Sequence, residues 1–137
     1  MGRSKGDVPN DPLTSFRKRE SFAPIYAGAV THERYKKLNQ SAKLLYIYCQ
    51  IRRKSKEGRD NLYKFNRQNK TNYDHEQGYF TMPTKALIEF GMDVGTCRKR
   101  AFPELEKNGF IEVVENNRFG HKENIYKLSA KWKTIKD

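Results

Sequence analysis

The chain has 137 residues, which is enough for one domain with one hydrophobic core and too few for two. It carries 28 Lys and Arg residues against 16 Asp and Glu residues, so its formal net charge is +12. This excess favours a polyanionic partner, with nucleic acid as the first candidate, although simple solubility is the alternative explanation. No segment is apolar enough for a membrane span or a signal peptide, so we expect a cytoplasmic protein without a membrane partner.

Residues 1–21 are predicted to form a flexible basic arm. They combine low hydrophobicity with turn-forming prolines. A basic cluster, Arg17, Lys18 and Arg19, supplies candidates for auxiliary DNA contacts along phosphates or in a minor groove. A solvated tail without a binding role is the alternative. Residues 22–137 are expected to form the folded domain.

The domain is predicted to begin with an apolar segment followed by a short helical turn. The run from Phe22 to Val30 is apolar enough to lie extended on the core. Thr31 is then placed to cap a helical turn through its side-chain oxygen, and Tyr35 and Leu38 of this turn are expected to face inward.

The segment from Asn39 to Lys54 has the pattern of a long helix that is capped by Asn39. One stripe of this helix is predicted to face the core: Ala42, Leu45, Tyr46, Cys49 and Arg53. A second apolar set indicates cover on more than one side: Leu44, Ile47, Tyr48 and Ile51. We expect this helix to be the scaffold for the elements that follow.

Residues 55–77 are interpreted as a polar insert in the domain. A structureless segment of this length is unusual in a compact domain and is typically either functional or disordered. The favoured interpretation is a loop that attaches Tyr63 and Phe65 to the core. The alternative is a surface that grips nucleic acid, with Lys64 and Arg67 as auxiliary contacts beside the aromatic rings.

After the insert, a short strand at 79–82 precedes two predicted helices. The first spans 83–90, has Pro83 at its first position and is ended by Gly91. Asp93 is placed to cap the second helix, which spans 93–108 and which we call the central helix. Two helices that are joined by a three-residue turn containing Gly are typical of a helix-turn-helix motif.

The central helix is predicted to have a core face and a cationic face. The core face contains Val94, Cys97, Ala101, Phe102 and Leu105. The outer face offers the candidate DNA contacts Thr96, Lys99, Arg100 and Lys107. Arg100 is the first candidate to read a base, because a guanidinium can bond guanine in a bidentate way, whereas Lys99 and Thr96 suit phosphates equally well. A solvated charged face is the alternative.

Two residues of the central helix depart from this pattern. Arg98 lies within the apolar arc, so it must extend to solvent, pair with an acidic neighbour or indicate a different helix start. Pro103 lacks the N–H that would bond Lys99, which costs about 3 kcal/mol in a regular helix interior. A kink, or a helix that begins nearer Pro103, would explain it.

Strands at 110–115 and 124–129 are predicted to form a hairpin after a helix C-cap at Gly109. The hairpin tip contains the candidate DNA contacts Arg118, His121 and Lys122. Trp132 is expected to dock on the core. The order of helix, turn, helix and hairpin predicts an α+β winged helix-turn-helix domain with a three-helix core and a small antiparallel sheet.

Neither catalysis nor a cofactor is predicted. Cys49 and Cys97 fall on core positions of helices and outside metal-binding or redox spacings, so we expect neither a disulfide nor a metal. The three histidines are dispersed, and no phosphate-binding or catalytic motif is present. A metal-dependent nuclease that uses Asp74, His75 and Glu76 is the alternative, and this sequence pattern supports it weakly.

These segments resemble the winged-helix domains of small proteins and replication initiators that are carried by phages, plasmids and integrative elements of Gram-positive bacteria. The matching stretches are YFTMPTKALIEFG, LEKNGFIEVVENNRFG and ENIYKLSAKW, and NQSAKLLYIY resembles the first helix of those proteins. The resemblance implies sequence-specific binding of duplex DNA in replication, transfer or transcriptional control. It also implies work as a homodimer or in multiple copies, with replication or relaxosome proteins as partners. A module for single-stranded nucleic acid or protein contacts is the alternative.

Overall fold

The computed structural model describes residues 25–117 and 123–134. The predicted arm at 1–21 with Arg17, Lys18 and Arg19 lies outside the described residues. The same holds for the predicted hairpin-tip contacts Arg118, His121 and Lys122. The described part is an α+β arrangement of helices and one three-stranded antiparallel sheet.

The described part of the chain contains seven α-helical segments and three strands. The α-helices are α1 (Ala27–Val30), α2 (Glu33–Lys36), α3 (Gln40–Lys54), α4 (Lys56–Asn69), α5 (Thr84–Glu89), α6 (Val94–Thr96) and α7 (Phe102–Lys107). A π-helical turn, Cys97–Ala101, joins α6 to α7, so these three pieces form the central helix. The strands are β1 (Tyr79–Thr81), β2 (Ile111–Glu115) and β3 (Ile125–Leu128). Short 3-10 turns cover His75–Gln77 and Lys131–Lys133.

The sheet has the strand order β1-β3-β2, which confirms the predicted hairpin and its pairing with the strand at 79–82. Because side chains alternate along a strand, each face of the sheet receives its own set of residues. Phe80 and Tyr126 lie opposite each other and belong to the main core, whereas Ile125 belongs to a second cluster. This topology is compatible with the predicted winged helix.

The main core lies between α3, the central helix and one face of the sheet. The predicted stripe on α3 is buried in full, and the capping role of Asn39 is confirmed, because its Oδ1 accepts from Ala42 N at 2.9 Å. Trp132 is buried, as predicted, and its ring stacks on Phe110. The expected cover on a second side of α3 is incomplete, since Leu44 is 42% exposed.

The interpretation of residues 55–77 as a loop was wrong over most of its length, because α4 occupies Lys56–Asn69. Ser55 caps this helix by accepting from Gly58 N at 3.0 Å. Leu62 and Phe65 are three residues apart, so they share one helix face and pack with Ile125 on the second face of the sheet. The sheet is therefore covered by helices on both faces.

The segment before α3 also differs from the prediction. Residues 27–30 form helix α1 rather than an extended segment; Ala29 is buried there, and Ile25 and Tyr26 are exposed. His32, not Thr31, caps α2, because His32 Nδ1 accepts from Arg34 N at 3.1 Å. The Thr31 hydroxyl instead donates to Ala27 O at 2.8 Å. The inward positions of Tyr35 and Leu38 are confirmed.

Candidate nucleic-acid interface

The turn between α5 and the central helix is built from a glycine and a capping aspartate, as predicted. Gly91 has a φ of 78°, a conformation that favours glycine. Asp93 Oδ2 accepts from Thr96 N at 2.8 Å and from Thr96 Oγ1 at 2.7 Å. These hydrogen bonds hold the pKa of the Asp93 carboxyl below its usual value. The Thr96 hydroxyl is thus engaged in the cap.

The π-helical turn accounts for Pro103. At this turn Phe102 N–H bonds Cys97 O, five residues earlier, instead of the carbonyl four residues earlier. The wider turn relieves the close approach between a proline ring and the preceding carbonyls. Pro103 is the second residue of α7 and so lies in its first turn, where a missing N–H is tolerated. Helical backbone therefore runs from Val94 to Lys107 with a local widening at the π-helical turn, and the alternative of a helix that begins nearer Pro103 was wrong.

Cationic side chains lie exposed on the central helix. Lys99, Arg100 and Lys107 are all exposed, and none of them forms an ion pair with another residue of the described ranges. Thr96 is half-buried. Lys99 and Arg100 are neighbours in the π-helical turn, and both of their side chains are exposed there. Their charges are available to an external anion.

Arg98 has partners that the sequence analysis did not foresee. Its Nη1 donates to the Tyr126 hydroxyl at 2.8 Å, and its Nη2 donates to Met82 O at 3.2 Å. The guanidinium also lies 5.4 Å from the centroid of the Phe102 ring, a cation–π distance. Neither hydrogen-bond partner is acidic. Arg98 therefore links the central helix to β3 and to the connection before α5.

A groove of about 610 Å³ separates the central helix from the β2–β3 hairpin. Its side chains include Arg98, Pro103, Glu106, Asn116, Asn117, Glu123 and Asn124. The amide groups come from the hairpin, and the charged groups have both signs. Asn117 N donates to Asn124 Oδ1 at 2.7 Å, and Asn117 Nδ2 donates to Glu123 O at 2.8 Å. These bonds join the two strands of the hairpin beside the groove.

The auxiliary candidates Lys64 and Arg67 are exposed on α4. Since α4 covers the sheet face opposite the main core, the structure does not bring these residues together with Lys99 and Arg100. The aromatic residues of the insert are committed to internal contacts. Phe65 is buried, and the half-buried Tyr63 donates a hydrogen bond to Asp74.

Asp74 and His75, two of the three residues considered for a nuclease, have structural roles. Asp74 caps the 3-10 turn by accepting from Glu76 N at 2.9 Å, and the His75 ring shares a hydrogen bond with the Tyr63 hydroxyl. Burial lowers the pKa of His75. Within residues 25–117 and 123–134, no group of His, Cys, Asp and Glu side chains could hold a metal ion.

Cys49 and Cys97 are both free and buried, as the sequence predicted, and burial raises the pKa of each thiol. None of the helices in the described ranges has the length and apolar character needed to cross a bilayer.

No protein-family model, curated protein or solved structure matches this chain.

Proposed function

We propose that this protein is a winged helix-turn-helix protein that binds duplex DNA sequence-specifically and has no catalytic activity. The observation that carries the proposal is the exposed pair Lys99 and Arg100, without ion pairs in the described structure, on a helix that follows a capped turn. The antiparallel pairing of β2 with β3, in the strand order β1-β3-β2, supports the proposed wing hairpin. The net charge of +12 suits a polyanion.

The central helix would enter the major groove, which is about 12 Å wide and admits one α-helix. Arg100 would bond the O6 and N7 atoms of guanine, and Lys99 and Lys107 would meet phosphates. Because its hydroxyl belongs to the cap, Thr96 would contact DNA through its methyl group or through backbone atoms nearby. Base reading would thus depend mainly on one residue, Arg100.

The hairpin would supply the second contact through Arg118, His121 and Lys122, which suit a phosphate backbone or a minor groove. The groove of about 610 Å³ lies between the central helix and the described part of the hairpin. The sequence resemblance supports a role in a mobile element, in replication, transfer or transcriptional control. A cytoplasmic homodimer, or several copies on DNA with replication or relaxosome proteins, would fit that role.

Fluorescence anisotropy tests the proposal with duplexes tiled across the DNA that flanks the gene, against random duplex, at two salt concentrations. We expect one tile to bind well above random duplex and to resist added salt. Uniform binding that disappears with salt would attribute the interaction to charge alone. Stronger binding to single strands than to duplexes would replace this proposal with the single-strand alternative.

Replacing Arg100 by Ala should weaken binding to the specific tile by about 1 to 3 kcal/mol and affect random duplex much less. The comparison variant is Arg67→Ala, which removes the equally charged, exposed auxiliary candidate on α4. Because α4 covers the other face of the sheet, Arg67→Ala should weaken binding to the specific tile less than Arg100→Ala does. Equal losses on both duplexes would show that Arg100 contacts phosphate and does not read a base.

Replacing Lys122 by Ala should weaken binding to all duplexes and lower the slope of log K against log salt by about one. An unchanged slope would remove the hairpin tip from the contact surface.

A further inference from the structure

A continuous series of hydrogen bonds begins in the insert that the sequence analysis interpreted as a loop. Asn66 of α4 holds the backbone of Tyr73 from both sides: its Oδ1 accepts from Tyr73 N at 3.1 Å, and its Nδ2 donates to Tyr73 O at 2.8 Å. Thr71 Oγ1 donates to the same Oδ1 at 2.8 Å. The position of Tyr73 is therefore set by the end of α4.

Tyr73 connects the end of α4 to the sheet. Its hydroxyl donates to Glu115 Oε2, and its ring packs against Tyr79 of β1 with centroids 5.0 Å apart. The bond to Glu115 is the main reason that the pKa of Tyr73 rises to about 12. Glu115 is the last residue of β2, directly after an irregularity in the β2–β3 register. The contact thus lies at the base of the hairpin, where regular pairing is interrupted.

The series then crosses the hairpin. Glu115 Oε1 accepts from Asn117 Nδ2 at 3.2 Å, and Asn117 N donates to Asn124 Oδ1 at 2.7 Å. Asn124 Nδ2 donates to the Tyr126 hydroxyl at 3.3 Å, which also accepts from Arg98 Nη1 at 2.8 Å. The final partner, Arg98, belongs to the central helix.

We infer that this network fixes the position of the β2–β3 hairpin relative to the central helix, with Tyr73 and Arg98 as positioning residues at its two ends. β2 pairs with β3 alone in the described sheet, so backbone bonds restrain it on one side. Glu115 links the end of β2 to Tyr73, and Asn117 links Glu115 to Asn124 on the other side of the hairpin. The consequence for DNA rests on the proposed function, whereas the mechanical linkage does not.

The linkage is tested on the free protein by NMR hydrogen exchange with Tyr73→Phe, which removes one hydroxyl and keeps the ring. The control is Tyr63→Phe, which removes a hydroxyl from the same insert, outside the network. We expect protection of the Asn117 amide to fall about fivefold in Tyr73→Phe, the effect of losing one hydrogen bond of ordinary net strength. It should stay unchanged in Tyr63→Phe.

A second variant, Arg98→Met, breaks the network from the central helix and should reduce the protection of the same amide. Unchanged protection in Tyr73→Phe, or an equal loss in Tyr63→Phe, would overturn the inference. Because these measurements use no DNA, they give the same result whether or not the protein binds duplexes.

A DNA-binding experiment tests whether the position of the hairpin affects binding to duplex DNA. Tyr73→Phe should lower the salt slope on duplex DNA as Lys122→Ala does, and the double variant should lose less than the two single variants together. A slope equal to that of the unaltered protein would limit the network to a structural role. Absence of duplex binding by the unaltered protein would refute the proposed function and leave the exchange result standing.

Discussion

Replacing Pro103 by Ala tests the role of the π-helical turn. In a regular helix interior, exchanging Pro for Ala would stabilise the fold by about 3 kcal/mol, because an N–H is restored and a clash is removed. Here the Phe102 N–H already bonds Cys97 O, five residues back, and Pro103 lies in the first turn of α7. We therefore expect the free energy of unfolding to rise by less than about 1 kcal/mol.

Urea denaturation monitored by Trp132 fluorescence measures this change, with Lys107→Ala as an exposed control on the same helix. NMR of Pro103→Ala then shows whether the Phe102 amide keeps its protection. A gain near 3 kcal/mol, or loss of the bond from Phe102 to Cys97, would show that the proline imposes the π-helical turn. That outcome would refute our account, in which the wider turn tolerates the proline.

Two further changes test the core and the insert. Leu105→Ala removes a fully buried side chain and should lower the free energy of unfolding by about 2 to 5 kcal/mol in urea; a smaller loss would mean that the core relaxes around the site. His75 has a lowered pKa in the folded state because of burial, so the unfolded chain binds the proton first, and stability should fall as the pH drops below about 6.5. Urea midpoints at pH 7.5 and 5.5 should show this loss, and His75→Gln should reduce it; an equal loss in the variant would assign it to other groups.

Short-range signals predicted the elements that frame the candidate interface. The Asp93 cap, the Gly91 and Gly109 helix ends and the three strands all depend on residues a few positions apart, and the structure confirms them. The core stripe of α3 follows equally from helical periodicity. In each case the conformation depends on residues that are close together in the sequence, so the sequence alone can predict it.

The features that the sequence analysis missed depend on longer distances. Helix α4 has a narrow apolar face, in which Leu62 and Phe65 meet Ile125, a residue 60 positions or more along the chain. The high average polarity of residues 55–77 suggested a loop, and it gives no information about a packing partner as distant in the sequence as Ile125. Similarly, Arg98 lies 28 residues from the tyrosine that binds it. The sequence shows that Arg98 lies in the apolar arc of the helix. The Tyr126 hydroxyl, which accepts its hydrogen bond, becomes a neighbour only after folding.

The two buried thiols give this protein an internal reporter of opening. Cys49 belongs to α3 and Cys97 to the central helix, and both are fully buried with raised pKa values. A thiol reagent can react with them only when these two helices separate or the fold opens, because a protonated, enclosed sulfur is unreactive. The rate at which each thiol is modified therefore measures how often α3 and the central helix separate or the fold opens.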